Sequence, residues 1–263
     1  PGVFSGDDLR LHLTLDARLQ ELAVKELAEQ VHQWSAKKGV AIVMDVSNGE
    51  LLVLASTPTY DPNRYWDYSP ALFKEWSVQD LFEPGSTFKP INLALALQEG
   101  VIRPDGSVND TGRLEIGGWS IYNHDRRANG VIDFARILQV SSNVGMVKVM
   151  RNLKPGNYWD WLHRLGLDSS PETDLPGAVA GQLKNKEQFV SQPIESATAS
   201  YGQGFSLTPL KLAQLHAVIA NGGHIVRPHI TRGLRAGEGL PPPAVNSNYQ
   251  ILRSDVTATV LGW

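Results

Sequence analysis

Ser86 and Lys89 lie three residues apart in Glu83-Pro84-Gly85-Ser86-Thr87-Phe88-Lys89, where a turn leads into the apolar run Ile91-Asn92-Leu93-Ala94-Leu95-Ala96-Leu97. On a helix, side chains at this spacing share a face, so the Lys89 ammonium can reach the Ser86 hydroxyl. A lysine held against apolar neighbours loses proton affinity, because burial disfavours its charged form, and can then act as a base. Ser86, at the electropositive start of the helix, becomes a candidate activated nucleophile. The plainer reading is an N-cap serine with an exposed lysine one turn on. S-x-x-K alone is not specific, since Ser35-Ala36-Lys37-Lys38 also fits. That copy closes a polar helical segment, has no apolar helix behind it, and is read as solvated surface.

A serine acyl-transfer site also needs a proton relay, an oxyanion site and a substrate clamp. Ser141-Ser142-Asn143 supplies a second hydroxyl and an amide. Separated by one residue in an irregular turn, Ser141 and Asn143 point to the same side. A hydroxyl can relay a proton, and an asparagine both donates and accepts. Ser107-Val108-Asn109 repeats the S-x-N pattern inside a Gly/Asp-rich stretch and is read as turn chemistry. Ser141 is preferred because it interrupts the otherwise regular apolar helix expected over Ile132–Val149, and such breaks tend to mark sites.

The elements that position these groups follow from periodicity and turn signals. Asp16 caps a helix with Leu19, Leu22, Ala23, Leu27, Val31 and Trp34 as its apolar stripe. Two apolar strands, Gly39–Val46 and Leu51–Ala55, flank Asn48-Gly49, a hairpin signal. Residues 64–82 are helical in part. The Ser86 helix runs to about Gly100, and 101–130 contains short strands such as Arg113–Ile116. Further helices are expected over Tyr158–Leu165, closed by Gly166, and from Thr208-Pro209 to Ile219. Residues 168–195 read as loop, His224–Ile230 as an edge strand, and Gly237–Pro243 as a proline-rich loop. Ser254 is expected to cap a last helix that is cut before its end. The order predicts an α+β fold in which strands from both ends of the chain meet in one antiparallel sheet.

The 263 residues can bury a sizeable core without staples. A hydrophobic fraction of 42% and a charged fraction of 19% are ordinary for a globular chain. The net charge of −3 gives no electrostatic argument for nucleic acid or a membrane surface. With no cysteine, thiol catalysis, thiolate metal sites and disulfides are excluded. The seven histidines do not cluster as metal ligands do, His224 and His229 falling on opposite faces of their segment. No metal and no cofactor is expected. His124-Asp125 reads as a loop hydrogen bond, and Tyr201-Gly202-Gln203-Gly204 lacks the lysine and context of a phosphate loop.

Taken together, Glu83–Lys89 and Ser141–Asn143 resemble the transpeptidase domain of penicillin-binding proteins, a family marked by S-x-x-K, an S-D-N-type triplet and K-T-G. The resemblance extends through Leu13–Asp16, the Ala41–Leu52 hairpin, Ser56–Asn63, Tyr201–Gly204 with Leu207–Pro209, and Asn221–Gly223. It implies the penicillin-binding/serine β-lactamase-like fold, an antiparallel sheet flanked by helices plus a mostly helical subdomain. The whole of 1–263 would be one such domain. Glu-Pro-Gly-Ser and Ser-Ser-Asn-Val-Gly resemble the class B, septal cell-division type. By resemblance, Ser86 is the acylated nucleophile, Lys89 its general base, Ser141 the proton shuttle to the leaving D-alanine, and Asn143 the clamp on Lys89 and the substrate amide. The Ser86 N–H would supply half of the oxyanion hole.

The implied partners are peptidoglycan stem peptides, as D-Ala-D-Ala donor and amine acceptor, with β-lactams as inhibitors and cell-division proteins as possible associates. The implied setting is the outer face of a bacterial membrane, on an anchor outside this chain. A β-lactamase or D,D-carboxypeptidase, or a non-catalytic β-lactam sensor or scaffold, are the competing readings. No K-[ST]-G occurs. The expectation is a domain cut before that strand, with its C-terminal strands missing and its activity weak unless a further segment supplies them.

Overall fold

The computed structural model describes residues 10–235 and 249–263. The Gly237–Pro243 loop expectation lies outside these residues. In chain order the elements are β1 (Arg10–Leu13), α1 (Ala17–Gln33), β2 (Gly39–Met44), β3 (Leu51–Thr57), two 3-10 turns (Pro62–Asp67, Pro70–Phe73) and α2 (Trp76–Gln79). A 3-10 turn (Gly85–Phe88) then runs into α3 (Lys89–Gln98). Next come β4 (Ser107–Asp110), β5 (Arg113–Ile116), β6 (Trp119–Tyr122), β7 (Gly130–Asp133), α4 (Phe134–Gln139), α5 (Asn143–Met150) and α6 (Pro155–Arg164). The chain continues with α7 (Lys186–Ser191), α8 (Pro193–Ala199), α9 (Pro209–Ala220), β8 (His224–Ile225), β9 (Thr231–Arg235), β10 (Tyr249–Gln250) and α10 (Ser254–Gly262).

The fold is α+β, but the single sheet expected from the sequence is replaced, among the described residues, by five two-stranded antiparallel ladders. Strands from the two ends do meet, with β1 paired to β9 across Arg10↔Arg235 to Leu13↔Thr231. The β2–β3 hairpin pairs from Gly39↔Thr57 to Met44↔Leu51, with a bulge at Val43/Met44. It joins the first ladder through main-chain bonds such as Leu51 N to His229 O at 2.9 Å and Asp16 N to Leu52 O at 3.0 Å. The edge-strand expectation over His224–Ile230 shrinks to His224–Ile225, because the chain at His229 and Ile230 bonds the hairpin and the start of the chain rather than a continuous ladder.

At the centre lies α3. Every residue from Ile91 to Leu97 is buried, which is what a helix apolar on all sides requires. Around it, α4, α5, α9 and α10 pack into one core that includes Phe88, Met146, Leu162, Leu215 and Val256. Asn92, a polar residue in that run, donates to Ala199 O at 3.0 Å and Ser200 O at 2.8 Å and accepts from the Tyr158 hydroxyl at 2.9 Å, so its burial leaves no amide group unmet.

Several boundaries differ from the expectations. Ile132 and Asp133 close β7, and α4 starts at Phe134 because the Asp133 carboxylate accepts from Arg136 N. The stretch 168–195 holds α7, capped by Asn185, and the start of α8, opened by Pro193. Ser254 is the first residue of α10, and Arg253 holds the cap position. Asp16 does cap α1. However, only Ala23, Leu27 and Val31 of the expected stripe turn toward the hairpin, beside Gln20, whose amide bonds both main-chain groups of Leu54. Leu19, Leu22 and Trp34 face solvent. No helix among the described residues is long and apolar enough to cross a membrane.

Candidate active site

The turn carrying Ser86 is fixed before the helix begins. Gly85, at φ +58°, reverses the chain, and Gly85 N bonds Gly202 O at 2.9 Å. At Gly202, which has φ +80°, a Cβ would stand 2.0 Å from Gly85 O, so no side chain fits there. The Glu83 carboxylate accepts from Gly204 N at 2.9 Å. The Tyr-Gly-Gln-Gly segment is therefore bolted to the turn beside the serine. Ser86 sits in a 3-10 turn rather than in the α-helix itself. Residues three apart eclipse in that geometry, so Lys89, the first residue of α3, stands in line with Ser86.

Ser141 comes from the junction of α4 and α5. Its N–H bonds Leu138 O at 3.1 Å, and Ser142 N bonds Ile137 O at 3.0 Å. This is the paired closure of a helix whose next residue is left-handed, a place usually taken by glycine. Here Ser141 holds it at φ +53°, at a cost of roughly 1–2 kcal/mol for a residue with a Cβ. Ser142 then caps α5, its hydroxyl accepting from Gly145 N at 2.8 Å. A Cβ on Gly145 would fall 2.8 Å from that same hydroxyl, which accounts for the glycine two residues after Asn143.

The four residues singled out by sequence converge. The Lys89 ammonium donates to Ser141 O at 2.6 Å, Ser141 Oγ at 3.0 Å and Asn143 Oδ1 at 2.9 Å. Ser141 Oγ lies 2.9 Å from Ser86 Oγ. The direct Ser86–Lys89 contact expected from helix spacing is not the one formed: the Ser141 hydroxyl stands between them. Lys89 is 1% exposed. Burial pushes it down to about 8, against the opposing pull of the Asp110 carboxylate. The pKa places a usable neutral fraction near neutral pH.

The other two matches stay apart from this cluster. Ser35 stands at a left-handed turn after α1, and Lys38 pairs with Asp80. Asn109 lies on β4, where its carbonyl accepts from Lys148 at 2.5 Å.

Sequence reasoning missed the carboxylate behind the site. Asp110 is 0% exposed and accepts from Ser142 Oγ at 2.8 Å, Asn123 Nδ2 at 2.8 and 2.9 Å, Asn129 Nδ2 at 2.6 Å and Gly112 N at 2.8 Å. Burial alone would raise its pKa, yet these donors hold it below the usual carboxylate range. Asn123 Oδ1 in turn accepts from Asn143 N at 2.9 Å and Val144 N at 3.1 Å. The pair thus ties the start of α5, and with it Ser141 and Asn143, to the β4 and β6 region. The only sequence cue was Asp-x-Gly, an ordinary turn signal.

A cavity of about 410 Å³ opens over Ser86, Ser141 and Asn143, with His124, Tyr201 and Gln203 on its rim. Asp125 Oδ1, next to His124, accepts from Arg127 N at 3.0 Å. A larger hollow of about 650 Å³ lies on the far side of Thr87. It is an apolar groove against β2, walled by Val40, Ile42, Trp76, Phe82 and Leu212, and it does not include the serine.

The sequence profile described as the penicillin binding protein transpeptidase domain matches residues 39–257. A peptidoglycan D,D-transpeptidase FtsI homolog from Chlorokybus atmophyticus is 43% identical over 88% of this chain and 36% of the relative. Peptidoglycan D,D-transpeptidase FtsI of Escherichia coli K12 is 36% identical over 83% of this chain and 36% of its own length. The chain thus spans little more than a third of these relatives. Among solved structures, the apo TP domain of Burkholderia pseudomallei penicillin-binding protein 3 superposes with a TM-score of 0.78 at 28% identity, covering 94% of this chain and 67% of that one. A Burkholderia ambifaria structure titled a peptidoglycan glycosyltransferase gives 0.80 at 29% identity, over 95% and 72%.

Proposed function

This chain belongs to the penicillin-binding-protein transpeptidase family, and on that premise we propose that it is the D,D-transpeptidase domain of a cell-wall cross-linking enzyme of the septal, cell-division type. The observation that carries the reading is the line of polar atoms Ser86 Oγ, Ser141 Oγ, Lys89 Nζ and Asn143 Oδ1 around a buried lysine.

Neutral Lys89 accepts a proton from Ser141 as Ser141 accepts one from Ser86. Ser86 Oγ attacks the carbonyl carbon of the D-Ala-D-Ala peptide bond. The Ser86 N–H supports the oxyanion, a donor of a kind worth roughly 3 kcal/mol. Collapse breaks the C–N bond, Ser141 returns a proton to the departing amine, and D-alanine leaves behind an ester on Ser86. The acceptor amine then attacks that ester, an amide forms, and Ser86 regains its proton. Asn143 holds Lys89 from one side and offers its amide to the substrate. β-Lactams would acylate the same serine and block it. The setting is peptidoglycan outside the cytoplasmic membrane.

The apolar groove beside Thr87 supports the companion expectation. The outer edge of β2 has no strand beside it among the described residues. An extended segment carrying Lys-Thr-Gly or Lys-Ser-Gly would lie there, completing the oxyanion site and binding the substrate carboxylate.

Intact mass after incubation with benzylpenicillin tests the reading. The expected result is an adduct of one inhibitor mass, absent in Ser86→Ala. A folded protein that gains no mass, both alone and with a peptide bearing the Lys-Thr-Gly strand added, would sink it. Rapid loss of the adduct in water would favour the hydrolase alternative instead.

A further inference from the structure

The turn that carries Ser86 is held from two sides. On the serine side, Gly85 N bonds Gly202 O at 2.9 Å and the Glu83 carboxylate accepts from Gly204 N at 2.9 Å. Within the turn, the Thr87 hydroxyl donates to Pro84 O at 2.7 Å, and Lys89 N bonds Ser86 O. The Thr87 carbonyl is the group these bonds leave over. A 3-10 turn would close it with the N–H three residues on, but that residue is Pro90, which has none. The first bond of α3 goes to the carbonyl of its cap residue, Phe88. Thr87 O therefore stands at the seam where the 3-10 turn gives way to the helix.

A side chain supplies the missing donor. His216, on α9, reaches Thr87 O through Nε2 at 2.9 Å. A carbonyl oxygen only accepts, so the ring proton is on Nε2, and in the neutral ring Nδ1 is an acceptor. Burial pushes the ring's proton affinity below the usual histidine value, against the pull of the Thr87 carbonyl. His216 and Thr87 both line the apolar groove. The charged groups of that groove, Lys38 and Asp80, pair with each other, and Asp80 pairs also with Lys74. Outside the polar cluster, His216 is the one side chain among the described residues that hydrogen-bonds residues 85–88 from another element. The Ser86 N–H and the Ser86 Oγ, 2.9 Å from Ser141 Oγ, both hang on the turn it holds.

We propose that His216 is a positioning residue for the nucleophile: its Nε2–H fixes the Thr87 carbonyl and, through that turn, the direction of the Ser86 hydroxyl and N–H. The inference rests on the acylation reading of Ser86 and adds to it a residue outside the serine cavity.

Stopped-flow acylation of the whole chain by benzylpenicillin, with the Lys-Thr-Gly peptide at saturation, separates initial binding from the acylation step. His216→Phe keeps a ring and removes the donor. It should slow the acylation step by on the order of tenfold, since small displacements of a reacting atom are costly, and leave initial penicillin binding unchanged. His216→Gln, whose amide N–H reaches about as far as Nε2, should recover most of that rate. A side chain that merely filled space would give the opposite order, because phenylalanine keeps the ring's volume and glutamine does not. His216→Leu takes the place of His216→Phe if the latter does not fold. In ¹⁵N spectra of the parent at pH 7, the ring signals lost in His216→Gln should be those of the Nε2–H tautomer. The inference is overturned if that ring carries its proton on Nδ1, if the variant without a donor acylates as fast as the parent, or if glutamine brings no recovery. A parent that penicillin does not acylate sinks the transpeptidase reading and this inference with it, whereas the other failures leave that reading standing.

Discussion

Two faces meet at the Gly85–Phe88 turn. On one, the polar groups are embedded: Lys89, Ser142, Asn123 and Asp110 are all buried, and Asp110 accepts from three side chains and one main-chain N–H. On the other, across Thr87, the groove along Val40 and Ile42 is apolar and open, with Phe82 exposed on its wall. The first face is supported by the close-packed helical core, so its geometry is fixed before any ligand arrives. The second is a strand edge and a hydrophobic wall with nothing of this chain laid against them among the described residues. A preorganised polar cluster and an open apolar groove thus sit back to back, and the 3-10 turn belongs to both.

The sharpest break in that contrast comes from the embedded face. Ser86→Ala is expected to abolish penicillin acylation, and Lys89→Met to slow it by about 10²–10⁴-fold, the usual worth of a positioned base. Stopped-flow acylation would read both. Lys89→Met acylating at the parent rate would remove the lysine from the chemistry.

Asp110→Ala should come next. It removes the buried carboxylate that Asn123, Asn129, Gly112 N and the Ser142 hydroxyl share as acceptor, a loss of roughly 3–5 kcal/mol in urea unfolding, as for a broken buried charge network. Asp110→Asn should cost less and carry a separate signature. Acylation needs neutral Lys89, so its rate should climb with pH and level off above about 8. Asp110 raises the pKa of Lys89, so in Asp110→Asn that midpoint should move to lower pH. An unmoved midpoint would leave Asp110 a purely structural anchor. The same lysine enters stability with a definite sign. Its proton affinity is depressed on folding, so the unfolded chain binds more protons between about 8 and its ordinary value of 10.5. Stability from this group therefore rises with pH across that window.

Ser141→Gly separates stability from function. Relieving the left-handed serine should leave unfolding free energy unchanged or raise it by up to ~1 kcal/mol. The relay hydroxyl is lost, so acylation should fall by about 10² or more. A stabilised variant with intact acylation would show that Ser141 is not between Ser86 and Lys89 in solution.

The smallest effect belongs to the groove. Met146→Ala, in the core beneath the site, should cost about 2–5 kcal/mol. Phe82→Ala, on the exposed wall of that groove, should cost less, about 1 kcal/mol. Equal costs would mean that the wall is covered in solution.

Wherever a local rule acts alone, the elements were legible in the residues. Asp16 and Thr208 cap helices, Asn48-Gly49 turns the hairpin, and the all-apolar α3 is buried. Where a rule depends on neighbours, reading failed. The α1 stripe could not reveal which of its apolar residues meets the hairpin, because Leu19 and Leu27 differ in tertiary context and not in type. The strand at His224–Ile230 was shortened by cross-links to residues more than 170 positions earlier. At the site, the types and spacing of Ser86, Lys89, Ser141 and Asn143 were visible because acid–base chemistry restricts which side chains can serve. Their order was not. That Ser141 stands between serine and lysine, and that Asp110 anchors the whole junction, depends on contacts across 32 to 55 residues. A sequence records which groups are available for a hydrogen bond. Packing alone decides which of them come within 3 Å, because burial removes the water that would otherwise satisfy each one separately.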